Sequence, residues 1–173
     1  MGVAGTGKST LSREIVRRIC AVYLDNNYIA DSFFPNTRHG PAYDRFRPRF
    51  YRALYTIAEG NLKLGNSVLL DVPHIKQVQS AEWRDLIKRL AKRTNSKLVV
   101  IRCFCSEETL RARIALRNEH RDRWKLEHWR KFMSIEPINT PIPFPHLELN
   151  TENNLSTNIN NAVRYIVTQG RSR

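Results

Sequence analysis

The chain has 173 residues, a length that suits one domain, with 41% hydrophobic and 26% charged residues, as in ordinary globular proteins. Twenty-nine Lys and Arg against 16 Asp and Glu give a net charge of +13, which favours anionic partners without choosing among a nucleotide, a phosphorylated or carboxylate metabolite and nucleic acid. No apolar run approaches the ~20 residues that span a bilayer, no basic-then-apolar leader opens the chain, and the three cysteines (Cys20, Cys103, Cys105) form no CxxC pair. A membrane protein, a secreted disulfide scaffold and a zinc site are therefore set aside, and the expectation is a cytoplasmic chain with three buried thiols.

Short apolar runs alternate with longer periodic ones, the pattern of an α/β fold. Leu11, Ile15 and Ile19 recur every four residues and predict a helix over 8–20. A buried strand follows at Val22 to Leu24 and ends at Asp25. Residues 31–45 are rich in Pro, Asn, Gly and His and read as an irregular connection. Tyr51, Leu54, Tyr55, Ala58 and Leu62 give the next helical face, stopped near Gly65. Ser67 to Asp71 is a second strand ending in an acid. Trp83, Leu86, Ile87 and Leu90 mark a third helix, and Lys97 to Phe104 a third strand. A fourth helix begins at Thr109 and runs into a basic segment through Lys125. Four prolines in 137–146 exclude regular structure there. His146 to Leu149 is a last short strand, and Ile159, Ala162, Val163 and Ile166 form a closing helix. Helices between short apolar strands imply parallel pairing, with ligands bound beyond the carboxyl ends of the strands, where Asp25 and Asp71 stand.

The sharpest signal is Gly2-Val3-Ala4-Gly5-Thr6-Gly7-Lys8-Ser9, a full match to GxxxxGK[ST] directly before a helix face. Glycines let the backbone turn tightly and approach phosphate oxygens with no Cβ in the way. Successive N–H groups then line one concavity, and the helix that follows adds its positive end. Lys8 bridges β- and γ-phosphates as a point charge, and the Ser9 hydroxyl is a hard oxygen ligand for Mg²⁺. An acid at a strand end beside such a loop holds the water shell of the metal or accepts a proton from a substrate hydroxyl; its other reading is a cap on the next helix. Arg111, Arg113, Arg117, Arg121, Arg123 and Lys125 form a basic run in which Arg113, Arg117 and Arg121 are four apart; on one helix these three share a face, and either an anion between them relieves their repulsion or the run is a solvated basic face. Arg38, Arg45, Arg47, Arg49 and Arg52, with His39 and Tyr43, form a second basic cluster that either clamps an anionic acceptor or is plain surface.

These residues resemble the P-loop kinases of the shikimate, gluconate and adenylate kinase superfamily, and within it the AAA-type ATP-binding domains related to polynucleotide kinase and zeta toxin. The resemblance is carried by Gly2 to Thr10, Leu24-Asp25, Val68 to Pro73, Leu110 to Lys125 and Leu147 to Thr151. It implies a three-layer fold with a parallel sheet in the order 2-3-1-4-5, spanning residues 1–173 as one domain, with a lid at about 113–130. It also implies Mg-ATP as phosphoryl donor, held by Gly2 to Thr10. By similarity, Asp25 neighbours the acceptor hydroxyl, Asp71 joins Ser9 at the metal, Arg117 and Arg121 reach the phosphates, and Arg113 stacks on the adenine beside Asn150 to Asn153.

Two departures bear on activity. Many of these kinases carry Asp-x-Asp after the second strand, whereas Asp25-Asn26-Asn27 has an amide at the second acid, so Asp25 works alone, Asp31 substitutes, or turnover is weak. A strand should precede the phosphate loop, but only Met1 does; the first, central strand is missing, and Met1 is expected to be an internal methionine with the chain starting upstream. The leading expectation is an ATP-dependent phosphotransferase acting on a hydroxyl of an anionic small molecule. A polynucleotide 5′-hydroxyl kinase and a non-catalytic nucleotide-binding regulator stay open beside it.

Overall fold

The computed structural model describes residues 1–171. Four short strands form two parallel pairs. β1 (Val22–Asp25) pairs with β2 (Val68–Asp71), and β3 (Val100–Phe104) pairs with β4 (His146–Asn150). The register of the first pair sets Asp25 directly beside Asp71. The pairs meet through the first two residues of the chain. Met1 N donates to Ile101 O (2.5 Å) and Met1 O accepts from Cys103 N (2.8 Å), while Gly2 N donates to Pro73 O (3.1 Å), just past β2. Met1 therefore makes a one-residue parallel bridge on β3, at the place the order 2-3-1-4-5 gives to the first strand.

Helices cover both faces. On one, α1 (Lys8–Ile19) and α8 (Leu155–Arg171) bury Leu11, Ile15, Ile159 and Ala162 against Cys103 and Leu149. On the other, α3 (Pro41–Lys63) and α4 (Ala81–Arg93) bury Tyr51, Leu54, Tyr55, Ile87 and Leu90 against Val72. These are the three layers expected of the fold. A further cluster of Val3, Ile75, Leu110, Ile114, Trp129 and Phe132 lies under the glycine loop, supplied by α5 (Glu107–Arg117) and α7 (Trp129–Ile135).

Several sequence expectations are corrected. Residues 31–45 are not one irregular stretch: α2 (Asn26–Phe33) runs on from β1, and α3 starts at Pro41. Pro41 occupies the first helical turn, where its missing N–H costs nothing, and Tyr43, Arg47 and Phe50 already follow the helical period. The helix begun at Thr109 does not continue to Lys125. Asn118 adopts a left-handed conformation (φ 49°) and ends α5 at Arg117. The chain then makes a 3₁₀ turn at His120–Asp122 and a short α6 (Arg123–Glu127). Cys20 is exposed rather than buried, because it caps α1 in a left-handed conformation (φ 51°); Cys103 and Cys105 are buried free thiols. Among the described residues no helix is long and apolar enough to cross a membrane.

Candidate functional site

The glycine loop is locked from below. Val3 O accepts from Thr6 N (3.3 Å), Thr6 Oγ1 (2.8 Å) and Lys8 Nζ (2.8 Å), so one carbonyl gathers the loop around itself. Gly2, Gly5 and Gly7 all have positive φ. At Gly2 the need for glycine is absolute, since a Cβ would lie 2.3 Å from Cys103 O. Gly2, Val3 and Thr6 are buried beneath the loop, while Ala4, Gly5, Gly7, Lys8, Ser9 and Thr10 line a cavity of about 560 Å³. The N-cap of α1 is Gly7, with no side-chain cap and no acid in the first turn. The first N–H groups of the helix are thus left to a ligand, and their partial positive charge selects an anion. Burial lowers the pKa of the Lys8 ammonium, against the opposing charge of Asp71.

Asp25 and Asp71 close the floor of the same cavity, both nearly inaccessible. The Tyr23 hydroxyl lies 2.7 Å from Asp71 Oδ2 and 3.2 Å from Asp25 Oδ2 and ties the two strand ends together. Asp25 also accepts from Asn27 N (2.8 Å), so it caps α2 and faces the cavity at once. Burial raises the pKa of Asp25, partly offset by the Asn27 N–H, which makes it a stronger base than a solvated carboxylate. Asp31 does not line the cavity. One of its oxygens is held by Arg38 and the other by Arg121.

Arg113, Arg117 and Arg121 all line the cavity, although only the first two are on one helix. Arg113 forks onto Thr151, donating to its Oγ1 (2.8 Å) and its carbonyl (2.9 Å), and so ties α5 to the segment after β4. Arg117 and Lys125 both donate to Asp122, which is 1% exposed. Burial opposes ionisation of Asp122, but the hydrogen bond from Arg117 and the charge of Lys125 outweigh it and hold its carboxyl below the ordinary range. The segment that follows α5 also touches the other wall. Arg121 pairs with Asp31, Trp124 stacks on His39 (centroids 4.1 Å apart, planes 12° apart), and Glu136 meets Arg47 at 3.4 Å.

Of the second basic cluster, Arg38, Tyr43 and Arg47 line the cavity; Arg45, Arg49 and Arg52 point to solvent. Sequence reasoning missed Asn26, Tyr51, Glu136 and Asn158 as lining residues. Lys125 was legible as the end of the basic segment, whereas Glu136 carries no local signal and reaches the cavity only through the turns that follow Asn118. Asn26 was legible as a neighbour of Asp25. In all, seven basic and three acidic side chains line the cavity, an excess that suits a polyanion. The donor set also fits magnesium: a hydroxyl at Ser9 and a carboxylate at Asp71 are hard oxygens facing the same space as the loop.

Among solved structures the chain is similar to a candidate kinase from Chloroflexus aurantiacus (TM-score 0.74, 20% identity, 98% of this chain and 95% of that chain covered). It is also similar to a sugar kinase from Janibacter sp. (TM-score 0.70, 15% identity, 96% and 91% covered). A third is the Mycobacterium tuberculosis APS kinase solved with AMPPNP and APS (TM-score 0.63, 17% identity, 96% and 94% covered). At these identities the likeness establishes the shared fold. No curated protein matches the sequence. Residues 1–136, which carry the glycine loop, both strand-end acids and the arginines that follow them, match the AAA domain family, and the chain belongs to that family.

Proposed function

We propose that the chain is an ATP-dependent kinase that transfers the γ-phosphoryl group to a hydroxyl of an anionic small molecule. The observation behind this reading is that one cavity gathers the uncapped loop at Gly2 to Thr10, two strand-end carboxylates and the arginines of the Arg113 to Arg121 stretch. A nucleotide store needs the first of these; a phosphoryl transferase needs all three. Neighbours of the same fold include an APS kinase, a sugar kinase and a gluconokinase, all named for small-molecule substrates.

In this reading the loop amides and Lys8 hold the β- and γ-phosphates, and Arg113 and Thr151 border the base. Ser9 and Asp71 would hold Mg²⁺, which supplies charge neutralisation on the phosphates. Asp25 accepts the proton of the acceptor hydroxyl as its oxygen bonds to the γ-phosphorus and the bond from that phosphorus to the β–γ bridging oxygen breaks, releasing ADP. Arg117 and Arg121 stabilise the charge on the transferring group. Residues 1–173 act as one domain, and the segment at about 113–130 serves as its lid. Asp25 works without Asp31, whose two oxygens are occupied by arginines.

The test is transfer from labelled ATP to pooled metabolites. Label in a small acceptor, lost in Lys8→Ala and in Asp25→Asn, is expected. Binding of ATP with no transfer to any acceptor would contradict the kinase reading and favour a regulatory nucleotide-binding role.

A further inference from the structure

Arg38 stands in the connection between α2 and α3 and lines the cavity. Its side chain is 9% exposed. One edge of its guanidinium is held by Asp31, and its Cζ lies over the Tyr43 ring, 5.6 Å from the centroid. Its Nη1 is buried and has no hydrogen-bond partner; among the described residues it is the one such nitrogen on a basic side chain. A buried donor on a charged group that finds no acceptor is costly, and native structures keep such groups mainly where a ligand supplies the acceptor. Arg47 lies one helical turn beyond Tyr43 on the same face of α3 and also lines the cavity. Its contacts, 3.3 Å to the Tyr51 hydroxyl and 3.4 Å to Glu136, are long for charge-assisted bonds. The other cations of the cavity are better engaged: Lys8 by Val3, Arg113 by Thr151, Arg117 and Lys125 by Asp122, Arg121 by Asp31.

We propose that Arg38, with Arg47 beside it, is the anchor for an oxyanion on the acceptor (phosphate, sulfate or carboxylate) and so selects which hydroxyl compounds reach Asp25. Asp31 and Tyr43 hold the guanidinium in place before the ligand arrives, leaving the edge that carries Nη1 to an oxygen of that group. This rests on the kinase reading, because it places the oxyanion on an acceptor rather than on the nucleotide.

The test uses the full chain saturated with ADP and magnesium, so that the phosphate loop is already filled. Inorganic phosphate, inorganic sulfate and acetate are each titrated in by calorimetry. At least one of them is expected to bind, and the tightest identifies the acceptor's group. Arg38→Gln should weaken that binding by tenfold or more and leave ADP affinity within twofold. Arg38→Lys, which keeps the charge but loses the planar fork, should weaken it by less and serves as the second variant if Arg38→Gln fails to fold. Equal anion binding in wild type and both variants, or no anion binding by the ADP-loaded wild type, would overturn the proposal while leaving the kinase reading intact. Failure of the wild type to bind ADP at all would sink that reading, and the proposal with it.

Discussion

The two ends of the cavity are built in opposite ways. The nucleotide end is a contiguous run of eight residues whose shape is set by backbone: positive φ at Gly2, Gly5 and Gly7, and one carbonyl, Val3 O, that gathers three donors. The end proposed for the acceptor, with its cover, is assembled from segments up to ninety residues apart and is held by side-chain charge: Asp31 with Arg38 and Arg121, Asp122 with Arg117 and Lys125, Arg47 with Glu136. A contiguous, backbone-defined site tolerates no Cβ and depends on side-chain charge at Lys8 alone. A dispersed, charge-defined site should respond in the reverse way. The first suits a moiety that is common to many relatives, the second a substrate that differs among them.

The largest effect should come from the most buried charge at the acceptor end. Asp122→Ala leaves Arg117 and Lys125 without their shared counter-charge and should cost about 3 kcal/mol in chemical denaturation. If the comparison holds, ADP affinity of the folded variant stays close to that of wild type. The mirror experiment is Gly2→Ala, whose Cβ would meet Cys103 O at 2.3 Å. It should cost about 2–3 kcal/mol and abolish nucleotide binding. Gly65→Ala is its control, since φ is also positive there (86°) but no atom lies within 4 Å of the added Cβ, and only about 1 kcal/mol is expected.

Next in size is acid. His74 follows Pro73, whose carbonyl accepts from Gly2 N, and is buried on the Tyr55 hydroxyl (2.8 Å), which in turn accepts from Trp83 Nε1 (2.7 Å). Burial holds its pKa down to about 3. An unfolded imidazole protonates near 6.5, so the unfolded chain gains a proton that the folded one refuses. The stability of neutral His74 is therefore full above pH ~6.5 and is lost as pH falls toward 3, by about 2 kcal/mol between pH 7 and 5. Denaturation midpoints across that window should fall in wild type and flatten in His74→Gln. The smallest effect is expected at the cover. His39→Ala removes the stack on Trp124 and should cost about 0.5–1 kcal/mol without altering ADP affinity.

What the sequence made legible follows the same division. The glycine loop, the strand ends at Asp25 and Asp71 and the helices on either side were readable, because each is written in adjacent residues or in a short period. Pro41 and Pro48 disguised the start of α3, since a proline in the first turn, or on the exposed side of a helix, resembles a breaker when only the residue type is known. The equal spacing of Arg113, Arg117 and Arg121 suggested one helical face, yet a single left-handed Asn118 moved Arg121 onto Asp31 and brought Lys125 and Glu136 over the loop. Arg38 was visible only as one of several arginines. Its burial and its orphaned Nη1 are products of tertiary packing that no local pattern records.

The phosphate loop is the part on which every functional statement depends, and equilibrium titration of folded wild type and Lys8→Ala with ATP and magnesium tests it most directly. One-to-one saturation in the wild type, weakened by about tenfold or more in Lys8→Ala, is the expected result. Folded wild-type protein that shows no association with the nucleotide, or a Lys8→Ala variant that binds as tightly as wild type, would contradict it.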